Sequence, residues 1–204
     1  MRYIIISPNA INDSYVKQIG DLRTEFMQNA RVTTDAGESV PMEVVQLTDG
    51  DYDEKKTLNG SWASMQEFNE KVLPDLNLYL KLQIRHKTQD IVHVDLGKSL
   101  ITLYMAYFAI NAGISTNISW HMPDPKDEKP TFNIGGESAY SNPRNNLRRY
   151  LASQIMQKSM NVFIDSPTIV DVLNRLFPRI DRELHIDPLI EIRESEEEIE
   201  NVTP

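Results

Sequence analysis

The chain reads as an α/β protein of three layers, with helices on both sides of a mostly parallel sheet. Three observations carry that reading. The run Arg2-Tyr3-Ile4-Ile5-Ile6 is apolar at nearly every position and stops at Ser7-Pro8. A second run, Ile91-Val92-His93-Val94-Asp95-Leu96, turns through Gly97-Lys98-Ser99 into an apolar segment from Leu100 to Asn111. Between the two lie stretches with helical spacing. A strand buried on both faces reads as a continuous apolar run, and such runs separated by helices are the signature of strand–helix–strand units.

Taken in order, Arg2 to Ser7 is a first strand and Pro8 to Asn12 a loop. Asp13 or Ser14 caps a helix to about Gln28, with Tyr15, Ile19, Leu22 and Phe26 at helical spacing. Ala30 to Pro41, with Gly37, is a loop or loose hairpin, and Met42 to Leu47 a second strand. Thr48 to Gly60, rich in Asp and Gly, is expected to be an exposed, mobile loop. Ser61 caps another helix, which Pro74 breaks or kinks before a segment from Asp75 to Lys87. Ile91 to Asp95 is the third strand. The helix Leu100 to Asn111 ends at Asn111-Ala112-Gly113, which suits a left-handed C-cap. Ile114 to His121 is the fourth strand, with Ile114, Thr116, Ile118 and Trp120 on one face.

Met122 to Pro130 is a loop, and from Thr131 the texture changes. Ile134-Gly135-Gly136-Glu137 is a turn, Asn145 to Met160 a helix, and Ser166-Pro167 opens another that closes near Phe177. Glu183 to Ile192 is expected to add a short strand. The expected division is a ligand-binding domain over 1–122, a small, mainly helical C-terminal region over 131–192, and an acidic, disordered tail over 193–204.

With 204 residues, 40% of them hydrophobic, the chain can bury a real core. It has no cysteine, which excludes disulfides and thiolate metal sites. No apolar run reaches membrane-spanning length, and the N-terminal run is too short for a secretory signal, so a cytoplasmic protein with no membrane partner is expected. The net charge is −9, and the segment Glu191 to Glu200 carries −5 of it. The acidic body argues against nonspecific duplex nucleic-acid binding, which works by neutralising phosphates.

The candidate site is the pair of loops that follow the first and third strands. In a parallel sheet both lie at the carboxyl edge, where α/β proteins bind ligands. Ser7, Asn9 and Ala10 come from one loop, and Asp95, Gly97, Lys98 and Ser99 from the other. Gly97 permits close backbone approach, Lys98 offers a positive charge, and Ser99 caps a helix whose free N–H groups favour an anion. The turn is no Walker A loop, because Val92 stands where that motif needs glycine; Gly-x-Gly-x-x-Gly and Gly-x-Ser-x-Gly are also absent. The histidines His86, His93, His121 and His185 show no metal-ligand spacing, so no metal and no cofactor are expected. His121 is an acid–base candidate if it reaches the cleft. Arg144 and Arg148 share a helix face near Arg149 and Lys158, suited to solvent, a phosphate or the acidic tail. Helix 100–111, apolar nearly all round, is expected to be core or a dimer surface.

The serine-proline loop after the first strand and the Asp95-Leu96-Gly97-Lys98-Ser99 turn before an apolar helix resemble CARF (CRISPR-associated Rossmann-like) domains over about residues 1–122. The turn here is shorter than the family's usual one and has a single glycine. The resemblance implies a Rossmann-like fold, a homodimer, and a cyclic oligoadenylate-like second messenger bound across the two-fold axis, as in antiviral CRISPR defence. It implies contacts from Ser7, Asn9, Gly97, Lys98 and Ser99. It also implies that slow, metal-independent phosphodiester cleavage, a ring-nuclease activity, can accompany binding, for which Lys98, Ser99 and His121 are the candidates. Two other readings stand beside it: a small-molecule enzyme of nucleotide or sugar-phosphate metabolism using the same edge, and a non-catalytic protein-interaction module.

Overall fold

The computed structural model describes residues 1–10, 13–52, 68–84, 89–97, 99–121 and 143–190. It is a Rossmann-like α/β fold around one six-stranded sheet, in which every strand pair is parallel. Strand β1 (Arg2–Ser7) lies between β4 (Glu43–Thr48) and β5 (Asp90–Leu96). β6 (Ser115–Trp120), β7 (Asn161–Ile164) and β8 (His185–Ile186) continue outward from β5. β2 (Arg31–Thr33) and β3 (Ser39–Pro41) form the loose hairpin that the polar stretch around Gly37 suggests. No helix among the described residues is long and apolar enough to cross a membrane.

The helices are α1 (Ser14–Gln28), the short α2 (Asp49–Tyr52), α3 (Leu73–Gln83), α4 (Leu100–Asn111), α5 (Pro143–Lys158) and α6 (Thr168–Leu176). A π-helical turn, Phe68–Val72, precedes α3, and Pro74 sits in the first turn of α3, where its missing N–H costs no hydrogen bond. Asp13 caps α1 by accepting from Val16 N at 3.3 Å. Gly113, at φ +76, ends α4 in the left-handed conformation that favours glycine.

The sheet has two unlike faces. Strand residues of one parity, such as Ile4, Val94, Ile118 and Val162, join residues of α3, α4, α5 and α6 in one apolar core. The other parity carries Ile5, His93 and Asn117 in one row and Asp95, Ser119 and Phe163 in the next. α1 lies on this second face, where it packs over β1, β4 and β5.

Several expectations change. Strand β7 is not foreseen in the sequence, because its four residues begin only three positions after α5 ends. With β8 it adds to the same sheet, so residues 143–190 are not a separate helical region. The buried stripe of α1 is Val16, Ile19, Gly20 and Arg23, whereas Leu22 and Phe26 are exposed. Asp49, expected in a mobile loop, is fully buried and starts α2. Helix α4 buries Leu100 through Ala106 and Ala109 within one chain, between the sheet, α3 and α5. Its apolar character therefore needs no second copy to explain it. The expected loop at 122–130, the turn at 134–137, the helix start at 61, His86, Lys98 and the tail 193–204 lie outside the described residues.

Candidate functional site

β1 runs next to β5, but the chain leaves β1 through α1 on one face and leaves β5 through α4 on the other. This is the topological switch point, where the two connections splay apart and open a crevice at the strand ends. The loops on either side of it are those holding Asn9, Ala10, Gly97 and Ser99.

The two loops are tied together by aspartates. Asp49 Oδ1 accepts from Asn9 N at 2.7 Å, and Asp49 Oδ2 accepts from Thr102 Oγ1 at 3.5 Å. A Cβ at position 97 would stand 2.3 Å from Asp13 Oδ2, so only glycine lets this turn lie against the cap of α1. Ser99 caps α4, its Oγ accepting from Thr102 N at 3.2 Å. Ala10 is exposed. Ser7 is fully buried under α1, where a Cβ on Gly20 would come within 2.6 Å of Ser7 Cβ. Ser7 thus faces the helix rather than the crevice.

Asp95 also points under α1, into a buried charge cluster that sequence reasoning missed. Arg23 Nε lies 3.1 Å from both Asp95 oxygens, and Nη2 is 2.8 Å from Oδ1. The same guanidinium reaches Asp187, with Nη2 2.6 Å from Oδ2. Ser119 Oγ donates to Asp187 Oδ2 at 2.6 Å. His93 Nε2 meets Ser119 Oγ at 2.8 Å, and Tyr3 Oη meets His93 Nδ1 at 3.0 Å. His121 Nε2 is 2.8 Å from Asp95 Oδ1, and its Nδ1 is 3.7 Å from Asp165 Oδ2.

The cluster fixes protonation states. Burial would raise the Asp95 carboxyl, but the Arg23 charge and the His121 hydrogen bond hold it well below the usual carboxylate range. Burial would likewise discharge His121, yet its bonds to Asp165 and Asp95 push it up to about 9. It is therefore an imidazolium at neutral pH, suited to pairing with carboxylates and unsuited to acting as a base. His93 is the opposite case: burial and the nearby Arg23 charge lower it and keep it neutral. Tyr3 is pushed up to about 12, chiefly by burial.

His93, Asp95 and Asp187 offer ligand atoms within 4.8 Å of one another, a spacing compatible with a metal. The cation these groups hold is the guanidinium of Arg23, which already takes oxygens from both carboxylates. Among the other sequence candidates, Arg148 and Arg149 are half-buried on α5, Lys158 is exposed, and His185 stands 4.0 Å from Glu183.

The signal for the cluster was present but faint. Asn117, Ser119 and His121 alternate with Ile118 and Trp120, and His93 and Asp95 alternate with Val92, Val94 and Leu96. Both strands thus announce a polar face. No protein-family model matches this sequence, and no characterised protein matches it.

Proposed function

We propose that this protein binds a small nucleotide-class ligand in the crevice between the β1 and β5 loops. The observation that carries the reading is the switch point itself: adjacent strand ends whose connections leave on opposite faces, closed by Gly97 and the Ser99 cap of α4. The free N–H groups of the α4 N-terminus favour a phosphate, and Lys98 adjoins them in sequence.

The resemblance to CARF domains makes a cyclic oligoadenylate the first ligand to test and makes the protein a dimeric sensor. In that form the two copies meet outside the buried face of α4, and α3 exposes Leu78 and Leu82 one turn apart for such a contact. His121, held as a cation between carboxylates, is not free to act as a base, so any cleavage of the ligand would fall to Lys98 and Ser99.

A thermal-shift plate of cyclic oligoadenylates, mononucleotides and sugar phosphates tests the reading. A ligand at about 100 times its Kd stabilises the fold by roughly 2.7 kcal/mol. A shift confined to one class identifies the ligand. No shift from any of them overturns the nucleotide reading.

A further inference from the structure

A cavity of 190 Å³ lies between the C-terminal end of α1, the polar face of the sheet and the segment after β8. We propose that it binds a neutral, planar aromatic ring bearing an amide, of about the size of nicotinamide. The site is separate from the strand-end crevice, so failure here leaves the nucleotide reading standing.

That volume leaves room for one substituted ring. Its walls are aromatic or apolar: Phe26, Met27, Phe163 and Leu189. Phe163 stacks on the His93 imidazole at 5.7 Å and 16° and keeps part of its surface open. A flat ring extends that stack.

The polar groups lining the cavity have defined hydrogen-bonding directions. Asp187, ionised beside Arg23, can only accept, so Ser119 donates to it. The Ser119 oxygen then accepts from His93 Nε2–H, which leaves His93 Nδ1 to accept from the Tyr3 hydroxyl. Tyr3 Oη, at the end of this relay, already accepts from Asn117 and has one acceptor position left for a ligand. Asn117 beside it has its oxygen taken by Asn161 Nδ2 at 2.9 Å, gives one N–H to Tyr3 and presents the other. An acceptor next to a donor matches a primary carboxamide, which donates N–H to Tyr3 and accepts from Asn117. The Arg23 charge is already shared between Asp187 and Asp95, so an anionic ligand gains no charge partner.

The test is ligand-observed NMR titration of the full chain with nicotinamide, with benzoate (an anion of the same size) and with cyclohexanecarboxamide (an amide without a flat ring). Nicotinamide should bind with a Kd on the order of millimolar or tighter, as suits a ligand of so few atoms. The two controls should bind at least roughly tenfold more weakly, the scale of one lost polar or stacking contact. Leu189→Trp, at a half-buried wall position, fills the cavity and should cut nicotinamide affinity by about tenfold or more. Tyr3→Phe should weaken it by a similar factor. Undetectable nicotinamide binding, equal binding of benzoate, or affinity unchanged in a folded Leu189→Trp would each overturn the proposal.

Discussion

Arg23 on α1 donates from Nη2 to Asp187 Oδ2 at 2.6 Å, across 164 residues of sequence. Through Asp95 the same guanidinium holds the end of β5. One side chain thus ties the first helix, the middle of the sheet and the C-terminal segment together, on the sheet face that lacks an apolar core.

Removing that charge should be costly. Arg23→Met leaves two buried carboxylates without their cation, and breaking a buried pair in this way typically costs about 3–5 kcal/mol. Arg23→Lys should recover only part of the loss, because an ammonium cannot fork between two carboxylates. Urea denaturation measures both. A loss below roughly 1 kcal/mol in Arg23→Met, the scale of an exposed pair, would show that the cluster contributes little.

Stability should fall as the solution is made alkaline. The folded state raises His121 from 6.5 to about 9, so it keeps a proton that the unfolded chain has lost between those values. The stabilisation is complete below about pH 6.5 and disappears as pH rises through 9, with a slope of at most about 1.4 kcal/mol per pH unit. Asp95 acts in the other direction: its lowered pKa contributes above about pH 4 and is lost as pH falls further. Unfolding free energies at several pH values check this, and His121→Gln should flatten the alkaline limb.

Gly97→Ala should destabilise the fold by about 1–3 kcal/mol, the usual cost of overpacking. Its Cβ would meet Asp13 Oδ2 at 2.3 Å and Val16 Cγ2 at 2.9 Å. The variant should also weaken nucleotide binding, since displacing Asp13 disturbs both loops. Thermal denaturation and calorimetry read the two effects, and an unchanged melting temperature would contradict the close packing.

Lys98→Ala should reduce affinity for an anionic nucleotide by roughly tenfold or more while leaving the melting temperature unchanged, as expected for one charge-assisted contact. Isothermal calorimetry decides it: unchanged affinity removes Lys98 from the site.

The sensor form also requires a dimer. Light scattering should give about twice the 23.4 kDa chain mass. A monomer with and without ligand would sink the cyclic-oligonucleotide form and favour a small-molecule enzyme using one copy of the crevice.

Local sequence determined the elements whose burial is continuous or whose ends carry their own chemistry. Tyr3-Ile4-Ile5-Ile6 could only be an inner strand, Ser99 and Gly113 bracket α4, and Asp13 starts α1. The strand-end loops at Asn9 and Gly97 followed from the strands they close. Tertiary structure alone decided which face of α1 is buried. Helical spacing favours Leu22 and Phe26, yet Arg23 is the buried residue, because Asp95 and Asp187 repay its desolvation. Asp187 is distant in sequence, and no periodicity links it to Arg23. β7 escaped for the same reason: four residues become a strand only when β6 offers an edge to pair with. Pairing and charge compensation are relations between distant segments, and they exist only once the sheet has brought those segments together.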